Sequence, residues 1–258
     1  MLDCSMSMVT FKDNQAAWVA AGYRSDMASA IACLPPPAEL IRLYHLTAAD
    51  HAISDIALGR LKVARFSDLN DPFELISVNF RERQVRKIVR DFKSAFDAQT
   101  GLLSFSDNWN DPVLWSHYGA RHRGICLGFN VPRNLVQQVQ YQDERIRAEL
   151  EAIEDPSQLP EDLQQLLLRT KYQHWDYEHE YRRFVPLETA VQEGRLHFVP
   201  FGPDLELAEV ILGTECVLAL EGVRDLVRSR YPATVVYKAR LAFKFFHITP
   251  QVSTIPVL

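Results

Sequence analysis

The chain has 258 residues, a formal net charge of −5 and a pI near 5.9, with 47% hydrophobic and 24% charged residues. This length fits one large domain or a domain with an accessory segment, and the hydrophobic content is enough for a sizeable core. The acidic balance argues against a broad nucleic-acid-binding surface, and no apolar run approaches the roughly 20 residues of a membrane span.

The cysteines and the first residues predict a cytoplasmic protein. Cys4, Cys33, Cys126 and Cys216 are scattered and form no CxxC pair, which is typical of buried free thiols in a reducing compartment. The opening "MLDCSMSMVTFKDNQ" lacks the basic leader and apolar stretch of a signal peptide. We therefore expect a cytoplasmic location and no membrane partner, while the sequence leaves the oligomeric state open.

Residues 1–37 are predicted to form a helical appendage with a proline-rich connector. Apolar residues recur at loose helical spacing between Phe11 and Ala32, whereas "LPPP" at 34–37 excludes a helix and favours a stiff extended segment. The main domain is then expected over residues 38–258.

The first half of the main domain alternates between strands and helices. Predicted strands are "ELIRLYHLT", "LKVARFS", "GLLSFSD" and "GICLGFN". Predicted helices are "AADHAISDIALGR", ending near Gly59, a basic helix over Arg81–Ala98, and the short "VLWSHYGARH". The segment "DLNDPFE" is predicted to be a turn.

The second half begins with a polar helical stretch from about Asp143 to Trp175. The strand candidates that follow are "EYRRFVPL", "RLHFVPF", "AEVILG", "TVVYKARL" and "FKFFHITP", with a helix over Gly222–Arg230. Short strands mixed with helices, without regular βαβ alternation, predict an α+β fold with a mainly antiparallel sheet, continuous or split, flanked by helices.

The motifs of several common sites are missing from the sequence. The chain has no GxGxxG, no GxxxxGK[ST] and no HExxH, which argues against a dinucleotide-binding Rossmann site, a P-loop and a zincin. The histidines do not lie near cysteines at metal-ligand spacing, so no metal is expected. What remains is a set of four polar segments, each at the edge of a predicted strand.

The first polar segment is "YHLT". In an extended chain His45 and Thr47 lie on one face, and Tyr44 and Leu46 on the other. His45 and Thr47 could hydrogen-bond a polyhydroxylated ligand, or the histidine could simply satisfy a neighbouring carbonyl.

The second polar segment, "NDPFE", is typical of a turn. Asn70 and Asp71 cap the backbone and Pro72 fixes φ, which favours a structural role for all three. Glu74 could anchor this turn.

The third polar segment, "WSHYGARHRG", is too polar for a core helix and not amphipathic enough for a surface one. We assign Trp115 to packing and predict that His117, Tyr118 and Arg123 face a ligand. Arg121 and Arg123 could neutralise a phosphate or pair with carboxylates further along the chain.

The fourth polar segment, "WDYEHEYRR", carries two glutamates two residues apart. In an extended chain Glu178, Glu180 and Arg182 share one face, while Trp175 begins the opposite one and is assigned to packing. Neighbouring carboxylates repel, so each needs a cation or a proton. This face is either a solvated charged surface, or a site suited to general-base work and to stabilising positive charge on a reacting sugar.

In their order along the chain these segments resemble the bacterial domain-of-unknown-function 2971 family. The resemblance is carried by "YHLT", "ARFSDLNDPFE", "SFSDNWNDPVLWSHYGARHRGICLGF" and "KYQHWDYEHEYR", from about Leu43 to Arg183, with a weaker tail in "LAEVILG". That family label carries no established activity.

"YHLT" followed by a short helix and "GRL" also resembles, more faintly, the first motif of ADP-ribosyltransferase-like domains, including the DNA-modifying bacterial toxin type. The resemblance implies that His45 holds the adenosine side of NAD and that Glu180, or its rival Glu178, stabilises an oxocarbenium-like transition state. It implies that the nicotinamide is flanked by one of Ser104, Ser106 and Tyr118. The Ser-Thr-Ser motif of that superfamily is missing.

The leading hypothesis is therefore an NAD-dependent enzyme that performs ADP-ribosyl transfer or NAD glycohydrolysis, in a bacterial toxin or phage-defence setting. NAD would be the substrate, and the acceptor could be a nucleic acid, a protein or a small molecule. This hypothesis requires a cleft that joins His45, Tyr118 and Glu180 within the span of one nicotinamide riboside.

Two other hypotheses remain open. One is a non-catalytic sensor or interaction module that binds a small-molecule nucleotide in the same cleft. The other is a metal-dependent nuclease, which needs carboxylates converging on a common Mg²⁺ ion. Its candidate ligands are Asp71, Glu74, Glu178 and Glu180.

Overall fold

The computed structural model describes residues 35–75, 77, 83–146, 155 and 158–255. The predicted helices between Phe11 and Ala32 lie outside these residues, so the fold below is that of the predicted main domain. No helix within the described ranges is long and apolar enough to cross a bilayer.

Strands and helices alternate irregularly along the described chain. The strands are β1 (Leu40–Thr47), β2 (Arg60–Lys62), β3 (Thr100–Ser106), β4 (Ile125–Pro132), β5 (Gln137–Gln138), β6 (Gln140–Gln142), β7 (Thr170–Tyr172), β8 (Glu180–Pro186), β9 (Val191–Glu193), β10 (Leu196–Pro200), β11 (Glu206–Leu212), β12 (Val235–Leu241) and β13 (Ile248–Pro250). The α-helices are α1 (Ala49–Leu58), α2 (Arg83–Gln99), α3 (Pro112–His117), α4 (Glu161–Arg169) and α5 (Leu220–Arg230). The prediction of an α+β fold is confirmed.

The main sheet has eight strands in the order β13-β12-β11-β4-β1-β3-β8-β5. β11 and β12 are parallel, whereas the other neighbours in this sheet are antiparallel. The sheet is therefore mixed, which corrects the mainly antiparallel prediction. The reason is the connection through α5, because a crossover helix returns the chain in the same direction. Two small sheets, β2-β10-β9 and the parallel pair β6-β7, complete the described strands.

The two faces of the main sheet carry different layers. The first face presents Leu43, Leu127 and Phe129, which pack in one core with Ile56 of α1 and Val227 of α5. The second face presents the alternate residues of the same strands, among them Tyr44, Cys126, Ile211 and Tyr237. These pack with Trp109 and Trp115. A side chain on β1, β3, β4 or β8 can therefore be assigned to one face by its position in the strand.

Several predicted elements are shorter than expected. Among its described residues, the stretch predicted as a polar helix contains one α-helix, α4, and Thr170–Tyr172 near its end is a strand that pairs with Gln140–Gln142. "FKFFHITP" forms a strand only from Ile248, because residues 242–247 make the hairpin that joins β12 to β13. By contrast, α1 ends as predicted, with Gly59 in the left-handed region at φ 66°.

Asp55 on α1 provides a test of this packing. It is buried, and burial raises its pKa to about 7, although the charge of Arg60 opposes the shift. A carboxyl group with a raised pKa is best tolerated when protonated, so it should contribute stability at low pH that is lost as the pH rises from about 4 through about 7. Asp55→Asn should abolish this loss and raise the free energy of unfolding near neutral pH and above by on the order of 1–3 kcal/mol.

Urea denaturation at a series of pH values measures this difference. Asp225→Asn is the control, because Asp225 lies on the exposed side of α5 in a surface ion pair with Arg228, which contributes little to stability. A difference between wild type and Asp55→Asn that stays constant over the pH series would contradict the prediction.

Candidate functional site

Five charged side chains form a buried charge cluster beside the second face of the main sheet. Its members are Glu74, Lys171, Glu178, Glu180 and Arg182. Each residue is at most 5% exposed. They come from the turn after "NDP", from β7, from the segment before β8 and from β8 itself, so the cluster joins segments that are far apart in the chain.

Arg182 lies at the bottom of the cluster. Its Nε donates to Oε1 of Glu180 at 2.9 Å, and its Nη2 donates to Oε1 of Glu74 at 2.6 Å and to Oε2 of Glu180 at 3.0 Å. Its Nη1 donates to the carbonyl of Leu168 at 2.9 Å. Burial alone would lower the pKa of Arg182, but the charges of Glu180 and Glu74 outweigh burial and raise it. The guanidinium is therefore charged and fixed in orientation.

Lys171 is the second cation, and it was missed by the sequence reasoning. Its ammonium donates to Oε2 of Glu178 and, at 3.0 Å, to Oε2 of Glu180, and it lies 3.7 Å from Oε1 of Glu74. It also lies 5.1 Å from the ring centre of Trp175. Burial opposes the charge of Lys171, but the glutamates raise its pKa above the ordinary value. A single lysine in the middle of a three-residue strand gives no local sequence signal of this role.

Glu180 is the most completely paired carboxylate. Its Oε1 also accepts from Oγ of Ser104 at 2.6 Å. Burial would raise its pKa, but the charges of Arg182 and Lys171 lower it to about 2. Glu180 is thus an ionised group whose two oxygens are already occupied by protein donors.

Glu178 has a different environment. The hydroxyl of Tyr118 donates to its Oε1, and Lys171 donates to its Oε2. Burial raises the pKa of Glu178, with Lys171 opposing that effect and Glu180 adding to it. Burial likewise raises the pKa of Tyr118, so this phenol stays protonated and acts as a donor to Glu178. Asn70, which is exposed, donates to the Tyr118 oxygen at 3.1 Å. A chain of hydrogen bonds therefore leads from the surface to Glu178.

The segment before β8 is not extended, which corrects the prediction for "WDYEHEYRR". Gln173–Glu178 is a 3-10 helix, His179 has a left-handed φ of 46°, and the strand begins only at Glu180. Glu180 and Arg182 share one strand face as predicted, whereas Glu178 reaches the cluster from the helix. Trp175 lies beside Tyr177, with ring centres 6.1 Å apart and the rings tilted by 37°, rather than starting an opposite strand face.

The structure does not bring His45 to this cluster. Tyr44, Ser106 and Glu180 are register neighbours across β1, β3 and β8, so all three point to the second face. His45 points to the first face, where its ring packs against Phe105 with centres 6.2 Å apart. Its Nδ1 lies 3.0 Å from the carbonyl of Ser104, and burial lowers its pKa below the ordinary value. The expected cleft joining His45 to Glu180 is therefore not formed, since the sheet lies between them.

The other predicted residues of β1 and β3 serve the framework. Thr47 shares the first face with His45 by strand alternation. Tyr44 is buried against Trp109, with ring centres 6.5 Å apart. Ser106 Oγ donates to the carbonyl of Asn108 at 2.9 Å and accepts from its amide at 3.0 Å, which closes the turn after β3. Of the predicted serines, only Ser104 contacts the cluster.

In the third polar segment Trp115 packs in the core as predicted, whereas the ligand contacts of His117, Tyr118 and Arg123 stay predictions. Trp115 is fully buried, and its indole Nε1 donates to the carbonyl of Trp109 at 2.7 Å. His117 is exposed, and its ring centre lies 6.1 Å from that of Tyr118 and 5.9 Å from that of Tyr177. The exposed Arg121 and Arg123 lie in the following turn. The predicted partners of these arginines, Glu178 and Glu180, are held by Lys171 and Arg182 instead.

The second polar segment forms a turn, and Asp71 accepts from the amide of Phe73 at 2.8 Å. The turn places Glu74 against Arg182. This contact anchors the turn, which is the role that the sequence suggested for Glu74. Among the described residues, Oε2 of Glu74 is a buried carboxylate oxygen without a hydrogen-bond donor. Pro72 lies in this turn and Asp71 is buried.

Three of the four carboxylates predicted as metal ligands of a nuclease form the cluster with two protein cations, Lys171 and Arg182. These three are Glu74, Glu178 and Glu180. The Lys171 ammonium lies between Glu74, Glu178 and Glu180, where a divalent ion would have to bind. Within the described ranges no group of three or more histidine, cysteine, aspartate or glutamate residues could hold a metal ion. Asp71 is used in its own turn.

A cavity of about 360 Å³ lies elsewhere, against Arg183, Val185, Phe201 and Asp204. Arg183 alternates with Arg182 on β8 and therefore points away from the cluster. None of the predicted site residues lines this cavity.

Comparison of the chain with protein-family models, with curated proteins and with solved structures found no match. The two family resemblances described above therefore stay predictions from the sequence.

Lys171 lies next to three buried carboxylates, so we expect the stability of the protein to depend on it. Lys171→Met removes one of two buried cations and leaves three buried carboxylates facing Arg182 alone. We expect the free energy of unfolding to fall by about 3–5 kcal/mol, which is typical for breaking a buried ion pair by removing one partner. Guanidinium chloride denaturation measures this loss.

Lys87→Met is the matched control. Lys87 donates to Asp91 at 3.0 Å on the exposed side of α2, and its removal should change the free energy of unfolding by less than about 1 kcal/mol. Equal effects of the two substitutions would show that the cluster is not held together by Lys171.

Proposed function

We propose that the protein is an NAD-using enzyme that breaks the nicotinamide glycosidic bond, by ADP-ribosyl transfer or by NAD glycohydrolysis, with Glu178 as the acting carboxylate. The observation that carries the proposal is the position of Glu178 at the end of the Asn70–Tyr118 hydrogen-bond chain, with a raised pKa. Such a reaction requires chiefly one well-placed carboxylate near the anomeric carbon, because the transition state resembles an oxocarbenium ion.

The hydrogen bonding favours Glu178 over Glu180. Both oxygens of Glu180 accept hydrogen bonds from Ser104, Lys171 and Arg182, and its charge is neutralised at close range. Glu178 accepts one hydrogen bond on each oxygen, from Tyr118 and Lys171, so it retains lone pairs for a substrate. In this arrangement Glu180 positions Lys171, and Lys171 in turn orients Glu178.

The surroundings of Glu178 suit a nucleotide substrate. The rings of His117, Tyr118 and Tyr177 lie next to one another, and Tyr118 donates to Glu178. In the proposal these rings offer a contact surface for a nicotinamide. Arg121 and Arg123 follow in the same turn and are exposed, which suits contacts to a pyrophosphate. The cleft with His45 that the sequence hypothesis required is not formed, because His45 lies across the sheet from Glu180. The proposal is therefore restricted to Glu178 and its neighbours and assigns no role to His45. It leaves the acceptor open between nucleic acid, protein, a small molecule and water.

One observation favours a second candidate, a non-catalytic module that binds a nucleotide. The cluster side chains are nearly inaccessible and mutually paired, which is the usual state of a structural polar network. In that case the rings and arginines around Tyr118 would bind a nucleotide without any change to it.

Incubation of the purified protein with NAD, followed by measurement of nicotinamide release, tests the proposal. Glu178→Gln should lower kcat by at least about 100-fold, since it removes the charge that stabilises the transition state. Its melting temperature should stay close to that of the wild type, because an amide can keep the hydrogen bond from Tyr118.

Glu209→Gln is the matched control for that experiment. Glu209 is a buried glutamate on the same sheet face, paired with Arg42 and accepting from Tyr237 at 2.9 Å, but it lies outside the cluster. It should keep the wild-type kcat. No release by the wild type, or equal release by Glu178→Gln, would reject the proposal, and nucleotide-dependent thermal stabilisation without release would support the second candidate.

The pH dependence of nicotinamide release provides a separate prediction. Only ionised Glu178 can stabilise the transition state, so activity should be lost as the pH falls through its raised pKa, above the range of an ordinary glutamate. Tyr118→Phe removes a hydrogen bond that lowers the pKa of Glu178, so it should move the acidic limb of the kcat profile to higher pH. An acidic limb that is unmoved in this variant would exclude Glu178 as its origin.

A further inference from the structure

Three neighbouring loops lie at one end of the central strands of the main sheet. Thr47, Ile125, Leu212 and Lys238 are register neighbours across β1, β4, β11 and β12. β1, β4 and β11 therefore have an end at this level, and β12 continues beyond it to Leu241. The loops are the turn 118–124, the segment 213–219 and the hairpin taken together with the last two residues of β12, 240–247. We call these three loops together the loop rim.

The loop rim exposes large apolar side chains. Phe243, Phe245 and Phe246 at the hairpin tip are 90%, 72% and 97% exposed, and Val217 in the neighbouring segment is 92% exposed. Leu241, at the end of β12, is more than half exposed. A soluble surface seldom presents several such side chains together, and where it does the patch usually marks a contact with a partner or a membrane.

Hydrogen bonds connect the first two loops to each other and anchor β12 and β13, the strands that carry the hairpin. The amide of Glu215 donates to the carbonyl of His122 at 3.0 Å, and Nζ of Lys238 donates to the carbonyl of Cys216 at 3.1 Å. The amide of Ile248 donates to the carbonyl of Asn110 at 2.8 Å, just before α3. The exposed phenyl rings are therefore presented by an ordered framework.

The loop rim is basic although the chain as a whole is acidic. Its cations are Arg121, Arg123, Lys244 and Arg240, the last of which lies 4.4 Å from the ring centre of Phe243. Glu215 is the one carboxylate in the sequence of the three loops, against a net charge of −5 for the whole chain. Apolar tips flanked by cations fit a partner that is apolar inside and anionic at its surface.

We propose that the loop rim docks on an anionic lipid bilayer, with Phe243, Phe245, Phe246 and Val217 in the interface and the four cations among the headgroups. Membrane-surface binding of this kind combines buried apolar area with attraction to anionic lipids. Binding to the surface of a bilayer needs no membrane-spanning segment. The proposal therefore replaces the sequence-based expectation of no membrane partner, which did not consider surface binding. The inference shares Arg121 and Arg123 with the proposed function but depends on no step of the proposed reaction, and the substitutions that test it leave both arginines in place.

The composition of the loop rim favours a bilayer over two other partners. A single-stranded nucleic acid is bound through stacked ring faces, whereas Val217 and Leu241 have no ring to stack. A second copy of the chain, docked through the same surface, would bring the basic residues of two loop rims together. A bilayer takes aliphatic and phenyl side chains alike.

Sedimentation of the full chain with phosphatidylcholine vesicles, with and without added phosphatidylserine, tests the proposal. Binding should require phosphatidylserine and weaken with added salt. The triple substitution Phe243→Ser, Phe245→Ser and Phe246→Ser should lower the partition coefficient by at least about tenfold, because it removes the apolar contribution. Lys244→Glu should also reduce binding to the anionic vesicles.

The matched control is Val191→Ser with Leu196→Ser, at side chains that are 49% and 44% exposed on β9 and β10. It should keep the wild-type partition coefficient. All substituted positions are exposed, and thermal melting confirms that each variant is folded. Absence of vesicle binding by the wild type, or equal binding by the triple variant, would overturn the proposal. Binding to a single-stranded oligonucleotide in place of vesicles would overturn it too, as would a dimer that the triple variant dissociates without any vesicle binding.

Discussion

A fully buried guanidinium determines how the segments around β8 are arranged. Arg182 has no contact with solvent, so every polar hydrogen it presents needs a partner within the protein, and an unpaired buried charge would cost several kcal/mol. Its partners are Glu180 on the same strand, Glu74 in a distant turn and the carbonyl of Leu168 at the end of α4. These hydrogen bonds fix the turn, the end of α4 and β8 relative to one another.

The charge balance of the cluster then explains the distinct state of Glu178. Three carboxylates face two cations, so one negative charge is in excess when all are ionised. At Glu180 the charges of Arg182 and Lys171 outweigh burial and hold the carboxylate ionised, whereas at Glu178 burial outweighs the charge of Lys171 and raises the pKa. A network that stabilises the fold thus also leaves one carboxylate poised to take up a proton, at the point where Tyr118 connects it to the surface.

Local sequence patterns predicted the parts of this arrangement that depend on local geometry. Alternation placed His45 and Tyr44 on opposite faces, and it placed Glu180 and Arg182 together. The register between β1 and β3 decides whether His45 or Tyr44 shares a face with Glu180, and a shift of one residue would have reversed the outcome. Lys171 and Glu74 join the cluster through tertiary contacts that no short pattern encodes. The 3-10 helix before β8 was not predicted for the same reason, because it depends on the tertiary contact between Glu178 and Lys171.

The turn after α3 links the cluster to the loop rim through rigid backbone. Ala120, Arg121 and His122 have successive φ values of 48°, 56° and 66°, a left-handed run that is unfavourable for residues with a side chain and persists only where its surroundings enforce it. The enforcing contacts are close: a Cβ at Gly124 would lie 2.1 Å from the carbonyl oxygen of Thr47, and one at Gly213 would lie 2.2 Å from that of His122. Only glycine fits at both places. Tyr118 and the exposed arginines are therefore held by one over-determined turn, so that the phenol of the cluster and the cations of the loop rim keep a fixed separation.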